Sequence, residues 1–81
     1  MSILVQCIKE TYTWGGDGEE HKFCNVKKDH VYTFDKGRDG IYWIDPLLSP
    51  NKEDLTDKNG FFNGCARGLE EKYFKEMFRV L

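Results

Sequence analysis

The chain has 81 residues, 40% of them hydrophobic and 32% charged, with 12 Lys and Arg against 14 Asp and Glu for a formal net charge of −2. That length makes one domain, 1–81, and the near-neutral balance excludes a protein that holds nucleic acid by bulk positive charge. The apolar share excludes disorder by composition, and no apolar run nears the roughly 18 residues of a membrane span.

The opening Met1-Ser2-Ile3-Leu4-Val5-Gln6-Cys7 has neither the basic start nor the long apolar stretch of a signal peptide, so none is expected. Residues 3–13 read as a first strand, apolar on both faces early and polar later. The run Trp14-Gly15-Gly16-Asp17-Gly18-Glu19 reads as a turn, because glycine adopts positive φ at little cost. Its glycines alone suggest a phosphate cradle, but no Lys-Ser/Thr and helix follow. Residues 20–26 read as a returning strand and Lys27-Lys28-Asp29 as a polar turn. The clearest local signal is His30-Val31-Tyr32-Thr33-Phe34, a polar loop containing Asp39-Gly40, and Ile41-Tyr42-Trp43-Ile44, which together predict a β-hairpin. Tyr32, Phe34, Tyr42 and Ile44 are expected to face the core and Trp43 to be more exposed.

Residues 45–59 predict a long irregular connection containing Pro46 and Pro50, with a helical turn starting after Ser49 and Pro50 at its first position. Asn59-Gly60 predicts a turn, and Phe61-Phe62-Asn63 a short strand. Leu69, Tyr73, Phe74, Met77, Phe78 and Leu81 recur at helical spacing, while Phe78 and Val80 also alternate as a strand would. The expectation is a short helix over 68–75 followed by a final strand over 77–81 beside the first. Closing the sheet in that way removes exposed edges.

A small core needs large side chains, and six Phe, four Tyr and two Trp supply 15% of the chain. Alanine occurs once, at Ala66, which also favours strands over a helical bundle. Cys7, Cys24 and Cys65 are an odd set, expected as three thiols in a reducing compartment. His21-x-x-Cys24 has a ligand-like gap, yet no Cys-x-x-Cys pair accompanies it or His30. No metal and no cofactor are expected.

Catalytic chemistry is poorly provided for. Ser2 and Ser49 are the only serines, and nothing marks a substrate cleft or an oxyanion site beside His30 and a cysteine. Non-catalytic binding is better supported, because interfaces favour Trp, Tyr and Arg. Tyr12, Trp14 and Trp43 are the candidate anchors, with Asp17, Glu19, Asp35, Arg38 and Asp39 as a polar rim. The same rings, with Lys36 and Arg38, are also compatible with stacking on single-stranded bases. Asp17, Glu19, Glu20, Asp35, Asp39, Asp45, Glu53, Asp54 and Asp57 are further expected to form one negative surface if their loops share a side.

Val5-Gln6-Cys7-Ile8-Lys9, Lys28-Asp29-His30-Val31-Tyr32-Thr33-Phe34, Gly40-Ile41-Tyr42-Trp43-Ile44-Asp45 and Tyr73-Phe74 together resemble the small SH3-like β-barrel accessory proteins of tailed bacteriophages and prophages. The resemblance covers most of the chain as a strand order, and the 45–59 connection and extended C-terminal segment depart from it. It implies a mainly β fold (α+β): a five-stranded antiparallel, partly open SH3-like barrel with a short C-terminal helix. It also implies action in the host bacterial cytoplasm by binding. The expected function is a phage-encoded, non-enzymatic protein that inhibits a host bacterial protein or antiviral defence complex by steric occlusion. A nucleic-acid-binding accessory protein and a small virion or assembly component are the alternatives.

Overall fold

The computed structural model describes residues 2–14, 16, 18–61 and 68–81. Strands β1 (Ser2–Cys7), β4 (Val31–Lys36), β5 (Tyr42–Ile44) and β6 (Phe78–Val80) form an antiparallel sheet in the order β5-β4-β1-β6. Strands β2 (Thr11–Trp14) and β3 (Glu19–Lys22) form a separate two-stranded sheet. A 3-10 helix at Lys52–Leu55 and one α-helix, α1 (Glu71–Met77), complete the described elements. The fold is therefore mainly β with a short C-terminal helix, as expected, but the described residues form six strands in two sheets where five strands were expected. Among the described residues no helix is long and apolar enough to cross a membrane.

The first strand is shorter than its composition predicts. It ends at Cys7, where the amides of Ile8 and Lys9 both turn to the Met77 carbonyl, at 2.7 and 3.3 Å. That carbonyl closes α1 just before β6 begins, so the chain leaves the sheet there and restarts as β2. The returning strand also stops early, at Lys22. Cys24 takes a positive φ of 52°, and the turn it makes sends Phe23 and Val26 into the core. A left-handed cysteine is a rare conformation that no sequence pattern announces.

The predicted β4–β5 hairpin forms, with Phe34 opposite Ile44 and Asp35 opposite Trp43. Tyr32, Phe34, Tyr42 and Ile44 are buried, whereas Trp43 is exposed. Aromatic rings build much of the interior. Phe34 lies 4.7 Å from Phe78 and 5.2 Å from Phe74, centroid to centroid, and Phe74 stacks on Tyr42 at 3.9 Å. Such offset and edge contacts add to what burial alone contributes.

Beyond Ile44, side chains take over the pairing of β4. Ser49 Oγ accepts from the Thr33 amide at 3.0 Å and Asn51 Oδ1 from the Val31 amide at 2.6 Å, while the Asn51 amide donates back to the Val31 carbonyl. The connection is thus laid along β4 without being a strand. The predicted helical turn is present but begins at Lys52, with Asn51 before it, so Pro50 lies outside it. The Asn59-Gly60 turn is present, with Gly60 at φ 83° and its amide on the Asp57 carbonyl at 3.0 Å. Phe61 is not in a strand, and the rest of the predicted 61–63 strand lies outside the described residues.

The C-terminal run joins the two edges of the large sheet. Leu69 exchanges two 2.8 Å backbone bonds with Tyr42 on the outer edge of β5. The helix then starts at Glu71, later than the expected 68, because Leu69 is bridged to Tyr42 of β5 and Glu70 is extended. It buries Phe74 and Met77 and ends in β6, which pairs with β1 as expected. Cys7 is a buried free thiol, and Cys24 is disulfide-bonded, which corrects the expectation of three thiols.

Candidate functional site: a cleft between the β2–β3 hairpin and helix α1

In the β2–β3 hairpin Tyr12 lies opposite His21 and Trp14 opposite Glu19. Directly opposed residues of an antiparallel pair share a face, as do residues two apart, so these four project together. The other face carries Thr11, Thr13, Glu20 and Lys22. The aromatic face turns towards α1, where Tyr12 meets Tyr73 with ring centroids 4.9 Å apart. His21 lies between the neighbouring rings, 5.7 Å from Tyr12 in a stacked arrangement and 5.3 Å from Trp14 edge-on.

The space between hairpin and helix is a cleft of about 330 Å³ lined by Tyr12, Trp14 and His21 on one side and by Leu69, Glu70 and Tyr73 on the other. Gly68 completes the lining, and a Cβ there would come within 2.2 Å of Ile41 Cγ2 and 2.9 Å of the Trp43 ring. Glycine is therefore required for the chain to pass between the β5 edge and the cleft. Trp14 stands at this site 59% exposed. His21 Nε2 is shielded from solvent yet has no hydrogen-bond partner, and Glu19 Oε2 lies 3.8 Å away. A buried polar atom left unpaired costs about 1–3 kcal/mol, so its presence here calls for an explanation.

The eight residues expected to bind a partner divide into two groups. Tyr12 and Trp14 line the cleft, and Glu19 stands opposite Trp14. Asp17 lies outside the described residues. Asp35, Arg38, Asp39 and Trp43 belong instead to the β4–β5 hairpin and do not line the cleft. There Trp43 is 42% exposed, Asp35 accepts from Ser2 Oγ at 2.9 Å, and Asp39 Oδ1 caps the Ile41 amide at 3.0 Å. Sequence reasoning passed over His21 as a binding residue, and also Glu70 and Tyr73. The period-2 pairing of Tyr12-x-Trp14 with Glu19-x-His21 was the available signal for the first.

The expected negative surface is corrected by Asp54, whose side chain is only 4% exposed. Its carboxylate accepts from Tyr32 Oη at 2.7 Å, lies 2.6 Å from His30 Nδ1 and pairs with Lys27 Nζ at 3.6 Å. Burial pushes this carboxyl up, but the hydrogen bonds from Tyr32 and His30 and the nearby positive charge outweigh burial and hold it below its ordinary value. Asp45 and Asp57 likewise serve the backbone, accepting from the amides of Leu47 and Asn59. Burial pushes the Cys7 thiol up to about 11, and its Sγ is directed to the Lys9 carbonyl. Ser49 Oγ is engaged on both sides, by the Thr33 amide and the Asp45 carbonyl. Among the described residues no group of three or more His, Cys, Asp or Glu is placed to hold a metal ion.

No protein-family model, curated protein or solved structure matches this chain.

Proposed function

We propose that this chain is a non-enzymatic binding protein whose β2–β3 hairpin and α1 grip another protein. Following the likeness to the phage SH3-like proteins, we read its two sheets as a partly open barrel and its partner as a host bacterial protein or antiviral defence complex, blocked by steric occlusion. The observation that carries the reading is Trp14, a large ring held 59% exposed at the cleft rather than folded into the core. Exposed indoles bordering a concave site are the usual anchors of protein interfaces.

Capture of a discrete protein from bacterial lysate tests this reading, with Trp14→Ala and Trp43→Ala run in parallel. Retention of one protein in stable stoichiometry, lost with Trp14→Ala, supports it. Recovery of nucleic acid alone, released steeply by salt, would reject it in favour of a nucleic-acid accessory role. Presence of the chain in purified particles without any host partner would favour a virion component.

A further inference from the structure

We propose that the cleft receives an arginine side chain of the bound protein; this rests on the protein-binding reading above. Three rings, Tyr12, Trp14 and Tyr73, form its walls. Aromatic faces carry negative charge density and attract cations, most strongly where water is partly excluded. Among the described residues that line it there is no Lys or Arg, whereas Glu70 is present. Glu70 occupies the position just before α1, yet its carboxylate makes no capping hydrogen bond. The cleft therefore combines aromatic faces with negative charge.

The chemistry favours guanidinium over ammonium. A guanidinium is planar, so it stacks on a ring while its edge donates to a carboxylate, and it is less strongly hydrated than the lysine ammonium. It also brings five N–H donors, and His21 Nε2, which has no hydrogen-bond partner in the fold, accepts one of them in the tautomer protonated at Nδ1. The site already has an internal precedent for a cation on one of its rings. Lys72 Nζ sits 5.5 Å from the Tyr73 centroid, although Lys72 does not line the cleft. A volume of about 330 Å³ is small for a ligand site, and fits one long side chain.

The probe is the peptide acetyl-Gly-Arg-Gly-amide, with lysine and citrulline counterparts, titrated while the indole N–H signals of Trp14 and Trp43 are followed by NMR. The arginine peptide should shift the Trp14 signal saturably and leave Trp43 in place. Citrulline, a neutral near-isostere, should bind roughly tenfold more weakly or not at all, and Glu70→Gln should weaken the arginine peptide by a similar factor. Equal binding of citrulline, an unaffected Glu70→Gln, or no saturable shift by about 10 mM peptide would overturn the proposal. Capture experiments separate it from the reading beneath it. Full capture by Glu70→Gln with loss by Trp14→Ala would reject the arginine and keep the interface, whereas full capture by both would reject the interface itself.

Discussion

The hydroxyl of Tyr32 donates a 2.7 Å hydrogen bond to Asp54, a carboxylate carried in the connection between β5 and α1 and 4% exposed. The same hydroxyl accepts from the Lys27 amide at 2.9 Å. One buried pair thus ties β4, the turn before it and the long connection together. Asp54→Ala leaves a buried phenol donor and the His30 ring without their acceptor and should destabilise the fold by about 2–3 kcal/mol. Asp54→Asn keeps an acceptor oxygen for Tyr32 and should cost less. Chemical denaturation checks both. The pH dependence is specific. Because the folded-state value of Asp54 lies below its ordinary 3.8, its contribution is present above that value and is lost as pH falls through the folded-state value. Burial raises Tyr32 above its ordinary 10.0, so its contribution is present below that value and is lost as pH rises through the folded-state value. The stability gap between the native chain and Asp54→Asn should therefore narrow progressively as pH falls below 3.8, and a gap that widens or stays constant throughout acid titration would contradict this account.

The stacking of Phe74 on Tyr42, with ring planes within 4° of parallel, locks α1 onto the sheet beside the Leu69–Tyr42 bridge. Phe74→Ala removes a ring that also contacts Phe34 and Phe78, and should cost about 3–5 kcal/mol, enough to unfold a domain of this size. Phe74→Leu keeps most of the volume, should cost about 1–2 kcal/mol, and remains measurable by thermal melting. Its cost should appear together with reduced protection of the Leu69 and Tyr42 amides. A Phe74→Ala protein as stable as the native chain would show that α1 is not anchored here.

How much of this was legible in the sequence follows the range of the forces involved. The β4–β5 hairpin is written locally, in alternation and an Asp-Gly turn, and its inward residues were read correctly. The final strand beside β1 was also readable from Phe78-Arg79-Val80. The breaks at Cys7 and Lys22 were not, because each depends on a distant or unusual backbone partner: the Met77 carbonyl for one, a left-handed Cys24 for the other. Asp54 looked like ordinary surface charge because its partners, Tyr32 and His30, lie 22 and 24 positions away. At the cleft, Tyr12 stands out by residue type and Trp14 also by its place beside a glycine-rich turn. Their companions Glu70 and Tyr73 were hidden because helical periodicity does not report which strand pair a helix packs against.

Cys7 offers a chemical check on the core. Burial pushes its thiol up to about 11, against the opposing effect of a backbone hydrogen bond from Lys9, and nearby Glu10 and Asp29 add to the rise. Only the thiolate is nucleophilic, so the native chain should resist iodoacetamide at this position at pH 8 and react there once denatured. Rapid labelling of Cys7 in the folded protein would place it in a different environment from the one described.

The central claim is that the hairpin face bearing Tyr12 and Trp14 is the gripping surface. Amide hydrogen exchange on the captured complex, compared with the free chain, measures it most directly. The account predicts added protection in β2, β3 and residues 68–73, with the β4–β5 turn at 37–41 unchanged. Protection confined to 35–43, around Trp43, with the β2–β3 hairpin exchanging as freely as before, would contradict it.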